Sequence, residues 1–384
     1  MDLIKVKNKV STLAVVMLMT IRMIMAQSGY DHLVWSDEFD ESGSPDPTLW
    51  TFDIGGDGWG NNELQYYTSR SDNVFVENGK LIITARKENY GGNAYTSARI
   101  TSRNRGDWKY CRVEVRAKLP EGRGTWPAIW MLPTDWEYGG WPASGEIDIM
   151  EHVGYDMGTV HGTVHTEAYN GADGTQRGGD IYLDDAHTAF HVYAIEWDAD
   201  SIHFIVDSEN YFTFPNYGTG YERWPFDKRF HLLMNIAIGG NWGGIEGVDD
   251  SIFPQTLEID YVRVYQKFQQ HDILGPDQVD TRQEDLVYRI PDFPGATYSW
   301  TFPDGVTIDN GQGTSEVSVT WGDTGGTITL EQAYEEEVFT STLDVSIVQV
   351  PEGDTLIIKG DEIQLGSWES HPGEGNTLQI FYED

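Results

Sequence analysis

The stretch GEIDIMEHVG, residues 145–154, decides how this chain is read. Successive side chains of an extended strand point to opposite faces, so Glu146 and Asp148 share one face while Ile147 and Ile149 pack on the other. Glu151 then has the wrong parity. A regular strand would aim its carboxylate into the apolar layer, an expensive place for a charge. One extra residue near Ile149 or Met150, a β-bulge, returns Glu151 to the face of Glu146 and Asp148. The run is therefore expected to be a bulged strand with three carboxylates along one groove.

Runs of the same kind surround it. KLIITARK (80–87), YCRVEVRAKL (110–119), SIHFIVD (201–207), FHLLMNIAIGG (230–240) and LEIDYVRVYQ (257–266) are rich in β-branched and aromatic residues and separated by Gly, Asn and Asp clusters. No long segment of helical period interrupts them. From His32 to about Gln266 the expectation is an all-β sandwich of two stacked antiparallel sheets, whose concave face could hold an extended polymer. After Gln270 the composition turns strongly acidic, with Arg282, Arg289 and Lys359 as the only basic residues. The runs YSWTFPDGVTI (298–308), GQGTSEVSVTW (311–321) and GGTITLEQAY (325–334) again read as short strands with Gly-rich turns. A second domain is expected there, and residues 351–384 form a tail without an assigned role.

Composition narrows the function. The chain of 384 residues, with 14 Trp, 15 Phe and 20 Tyr, can fill a sizeable core. Its formal charge of −37 would repel nucleic acids and sulfated polymers, so a neutral substrate fits better. Residues 1–26 carry Lys5, Lys7 and Lys9, an apolar stretch from Leu13 to Met19, and Met25-Ala26 before Gln27, the layout of a secretory signal. Arg22 interrupts the apolar stretch, which falls short of the roughly 18 residues that a spanning helix needs. Export without membrane insertion is expected, and a monomer. Cys111 is the only cysteine, so no intramolecular disulfide can form.

Upstream of the acidic run lies GRGTWPAIWMLPTDWEYGGWPAS, with Trp126, Trp130, Trp136 and Trp141 in one short stretch. Aromatic faces stack on the apolar faces of sugar rings, and a neutral polysaccharide offers little else to grip. A pair of glutamates on one strand can also serve a retaining glycosidase, which needs two carboxyls about 5–5.5 Å apart. The whole run resembles glycoside hydrolase family 16, in particular its laminarinase-like members with the pattern E-x-D-x-x-E. The resemblance continues through WSDEFD (35–40), GNNELQYYT (60–68), SARITS (97–102), HGTVH (161–165), GGNWGG (239–244) and EIDYVRVYQ (257–266). It implies a β-jelly-roll over about 30–268, with Glu146 as nucleophile, Glu151 as general acid and base, and Asp148 as their helper. A secreted endo-β-1,3-glucanase is the activity implied. Mixed-linkage glucan, agar or carrageenan are alternative substrates of the same fold, and a non-catalytic glucan-binding protein is a further alternative. Residues 272–350 resemble the small immunoglobulin-like modules of the polycystic-kidney-disease type, and a spacer role is expected because Trp300 and Trp321 occupy strand patterns.

The remaining site residues follow from the same likeness. Asn61, Glu63 and Arg99 fall in segments resembling the cleft rim, where they can hydrogen-bond sugar hydroxyls. Trp126, Trp141 and Trp242 flank Gly and Pro turns and are expected as sugar platforms, with Trp130 as a further one in a more apolar run. His161 and His165 share a strand face, and His165 is the choice for contact with Glu151 or a substrate hydroxyl. No cofactor is expected for catalysis. The family's structural calcium would map to Glu38, Gly79 and Asp260, a set of hard oxygen donors.

Overall fold

The computed structural model describes residues 29–293 and 295–348. The expected secretory signal (1–26) and the tail (351–384) lie outside these residues. The regular structure is almost entirely β, the single helical turn among the described residues being the 3-10 turn Asp250–Ile252. The chain divides into two compact units between Lys267 and Phe268.

The first unit contains a 10-stranded and an 8-stranded sheet around one core. Val113, Val115, Ile195, Val262 and Val264 supply one side of that core, and Ile129, Met131, Ile147, Val160, Val164, Met234 and Ile236 the other. This is the sandwich expected, of jelly-roll class. In the 8-stranded sheet the neighbours run Arg177–Tyr182, Thr159–His165, Glu146–Glu151, Thr125–Pro133, Phe230–Ile238, Arg99–Thr101 and Thr51–Asp53. Period-two alternation sets the two faces. In Thr159–His165 the residues Val160, Gly162 and Val164 are buried while Thr159, His161, Thr163 and His165 face out. Gly162 is needed for packing, since a Cβ there would collide with the hydroxyl of Tyr211 and the ring of Phe204.

The acidic strand Glu146–Glu151 breaks the alternation where its sequence demands it. Against Thr159–His165 the pairs are Asp148 with Thr163 and then Glu151 with His161, so three steps on one strand match two on the other. Against Thr125–Pro133, Met150 pairs with Ile129 and Asp148 with Trp130, which leaves Ile149 as the extra residue. Ile147, Ile149 and Met150 are all buried in the core. The bulge deduced from parity is thus present, and Glu151 comes out on the side of Glu146 and Asp148.

The second unit pairs a 4-stranded with a 3-stranded sheet. Trp300 and Trp321 sit inside it with Tyr288, Val317, Val319, Ile328 and Leu330. Their indole N–H groups donate to Thr314 O at 2.8 Å and Thr324 O at 3.0 Å. Both tryptophans are core, which removes them as sugar-binding surfaces. Trp321→Ala is expected to destabilise this unit by about 3–5 kcal/mol through the cavity it leaves, measurable as an earlier urea transition of the full-length chain.

Candidate active site

The outward faces of these strands line a groove of about 1000 Å³. Glu146, Asp148 and Glu151 stand in it together, flanked by Trp126 and Trp130 from one neighbouring strand and by His161, Thr163 and His165 from the other. Asp148 is the most enclosed, its side chain only 3 % exposed, against 16 % for Glu146. Burial raises the pKa of all three carboxyls, strongly for Glu146 and Asp148. Mutual repulsion adds to this: Asp148 and Glu151 push Glu146 up, and Glu151 pushes Asp148 up. The opposing influences are the Trp126 N–H, which donates to Glu151 Oε1 at 3.0 Å, the side chain of Glu146 beside Asp148, and the nearby side chains of His165 and Arg99. Neighbouring carboxyls whose proton affinities are raised by burial and by one another can supply both an acid and an anion.

Every residue expected on the cleft wall lines this groove: Asn61, Glu63, Arg99, Trp126, Trp130, Trp141, His165 and Trp242. Several have partners that the sequence did not disclose. Glu63 accepts from Gln65 Nε2 at 2.6 Å, Tyr67 OH at 3.1 Å and Asn61 Nδ2 at 3.4 Å, and burial holds its pKa above the ordinary value. Arg99 pairs with Asp53 at 2.9 Å, with its guanidinium against the rings of Trp59 at 4.9 Å and Trp130 at 4.6 Å. Trp130 also donates to Asn235 Oδ1 at 2.8 Å. Trp126 meets Trp242 edge to face, and Trp242 in turn packs against His161. Trp141 is the most open of these tryptophans, 44 % exposed. One expectation is corrected. His165 approaches not Glu151 but Asp148 Oδ2, at 3.2 Å, and Glu146 Oε1, at 3.8 Å, because it pairs across the ladder with Glu146. His161 is the one opposite Glu151 in register, and its Nδ1 meets Asp180 at 2.7 Å.

Trp136, one of the four clustered tryptophans, lines the groove as well, and so do Trp59, Tyr67, Asn235 and Asn241, which were not singled out from the sequence. Asn235 carried a usable signal. It is a lone amide in the apolar run FHLLMNIAI, and a buried amide demands a partner.

Both carboxylate oxygens of Glu38 are taken by Arg263, at 2.8 and 2.7 Å, so its side chain is not free for a cation. Asp260 gives one oxygen to Arg116 at 2.5 Å and keeps the other. Gly79 sits in a turn with a φ of +70°. A calcium ion here would have to draw on the main-chain carbonyls of Glu38 and Gly79 and on the Asp260 oxygen not bonded to Arg116, hard oxygens of the kind calcium takes.

Comparison with known proteins agrees with this geometry. Residues 61–263 match the family model "Glycosyl hydrolases family 16", and residues 267–334 match that of a PKD-like domain. A β-glucanase of Rhodothermus marinus is 58 % identical over 241 residues, covering 61 % of this chain and 84 % of that protein. A glucan endo-1,3-beta-glucosidase of Cryptopygus antarcticus is 37 % identical over 265 residues, covering 64 % of this chain and 97 % of that protein. The X-ray structure of the laminarinase from Rhodothermus marinus superposes with a TM-score of 0.61 at 56 % identity, over 62 % of this chain and 98 % of that one.

The raised carboxyls make a stability prediction with a definite sign. Above their ordinary value of about 4.5 the unfolded glutamates have lost their protons while the buried ones keep theirs. Here the folded state binds more protons, so their contribution to stability falls as pH rises. Glu146→Gln removes one of these groups. The variant is expected to melt above the parent at pH 8, with the difference closing towards pH 4, as read by calorimetry across that range.

Proposed function

The chain belongs to glycosyl hydrolase family 16 and is a glycoside hydrolase of its β-1,3-glucanase kind, and from this we propose that it is a secreted endo-acting enzyme that hydrolyses laminarin-type glucans by double displacement. The observation that carries the reading is the bulged strand, which gathers Glu146, Asp148 and Glu151 on one wall of an aromatic groove. In the proposed reaction Glu146 attacks the anomeric carbon while Glu151 protonates the departing oxygen. Water then opens the glycosyl ester as Glu151 takes up its proton. Asp148, beside Glu146 and with its own proton affinity raised, is placed to hold a proton when Glu146 is the anion. Trp126 holds Glu151 in place through its N–H. Exposed Trp141 and the tryptophan edges of the groove suit the apolar faces of glucose rings, and the −37 charge disfavours sulfated polymers.

Glu151→Gln is expected to lower the rate on laminarin by about 10²–10⁴-fold, and Glu146→Gln to abolish turnover, since an amide cannot form the ester. Proton NMR of the first products distinguishes mechanisms: a β-anomer appearing first supports retention, and an α-anomer refutes it. Release of reducing sugar from laminarin and not from mixed-linkage glucan, agar or carrageenan supports the substrate class. No release from any of them would favour a glucan-binding protein.

Export rests on the pattern of residues 1–26, and the second unit is proposed as a spacer because Trp300 and Trp321 are buried. A structural calcium ion, held by Asp260 and the carbonyls of Glu38 and Gly79, would tie the start of the domain to its last long strand. Chelator is expected to lower the melting temperature and added calcium to restore it, whereas an unmoved transition rejects the ion.

A further inference from the structure

The ring of His165 is held at one nitrogen and faces the carboxyls with the other. Its Nδ1 accepts the main-chain N–H of Gly171 at 3.1 Å, and its Nε2 lies 3.2 Å from Asp148 Oδ2 and 3.8 Å from Glu146 Oε1. A nitrogen that accepts from an N–H carries no proton, so the neutral ring must carry its proton on Nε2. The donor that dictates this comes from a loop built on one buried side chain. Asn170 Nδ2 donates to Glu167 O and to Asp173 Oδ2, both at 3.2 Å, and Asn170 Oδ1 accepts from the Asp173 N–H at 3.0 Å. Its main chain is bonded to Thr175 as well. The peptide N–H aimed at His165 is that of the very next residue.

We infer that His165 is a positioning residue locked by the Gly171 N–H as the Nε2–H tautomer, so that a fixed donor faces the Asp148–Glu146 pair and favours its anionic form. This rests on the reading of Glu146 as nucleophile. The same lock has a second consequence. Glu146, Asp148 and His165 offer ligand atoms within 4.8 Å of one another, a spacing that could suit a metal ion. A metal-bound histidine donates its other N–H to an acceptor, but the partner of Nδ1 here is itself a donor. The trio is built to hold a proton.

The test uses the full-length chain with ¹⁵N-labelled histidine and two substitutions. At neutral pH the His165 Nε2 is expected to show a directly bonded proton and Nδ1 none. A proton on Nδ1 would overturn the inference whatever the substrate proves to be. The amide nitrogen of His165→Gln can reach the place of Nε2, whereas His165→Asn reaches only that of Nδ1. On laminarin His165→Asn is expected to lose about 10–100-fold in kcat, the worth of one hydrogen bond to a charge, with KM within about twofold, and His165→Gln to recover most of the loss. Equal losses in both variants, or a loss confined to KM, would refute the positioning role. Failure of the parent to cleave laminarin would instead strike the proposed function and leave the NMR result standing.

Discussion

One inserted residue governs the candidate site. Glu146 and Glu151 are five positions apart, an odd number, and a regular strand would leave one of them in a layer filled by Ile147, Ile149 and Met150. The cost of a carboxylate there exceeds the cost of a lost ladder pair. The strand takes the cheaper course at Ile149, which stays in the core while its ladder position is skipped. All else in the groove is arranged around the consequence, three acids on one wall.

Crowding three buried carboxyls creates a second problem, their repulsion, and the neighbouring strands answer it with fixed donors. Trp126 supplies an N–H to Glu151 from one side, and His165 faces Asp148 and Glu146 from the other. A tryptophan in this groove therefore does two jobs. Its ring offers apolar surface, and its N–H orients a polar partner, as Trp130 does for Asn235. Preorganised dipoles of this kind are more effective in a water-poor site than mobile solvent would be.

Side-chain parity made the bulge legible without coordinates, because alternation is a local rule and Glu151 violated it. The sandwich was legible for the same reason, as was the core placement of Trp300 in its strand and of Trp321, which continues the alternation just past the strand Glu316–Thr320. Partner identity was not. Which carboxylate His165 faces depends on ladder register, and register depends on the bulge and on the two flanking strands together. The Gly171 N–H that fixes its tautomer comes from a loop whose shape is set by Asn170, and nothing in the periodicity of the chain marks that amide. Arg99 between Trp59 and Trp130 joins three separate segments, and such a stack leaves no trace in any one of them.

The distribution of charge bears on what the groove can accept. Several of the scarce basic residues of the catalytic unit are spent on ion pairs outside the groove: Arg112 with Glu114 and Glu196, Lys118 with Glu258, Arg116 with Asp260, and Arg263 with Glu38. Of the residues that line the groove, Arg99 alone is an arginine or lysine, and Asp53 pairs with it. A groove with five glutamates and aspartates around it, Glu63, Glu146, Asp148, Glu151 and Asp180, and one compensated cation has no means of neutralising a sulfated chain. Such a polymer would bring further negative charge into a site whose own acids already raise one another's proton affinity through burial and repulsion. A neutral glucan brings hydroxyls and ring faces, which this wall of amides, carboxyls and indoles can meet without adding charge. On the proposed reading, selectivity between the two polymer classes would be electrostatic before it is steric, following from the same crowding of acids that the bulge imposes.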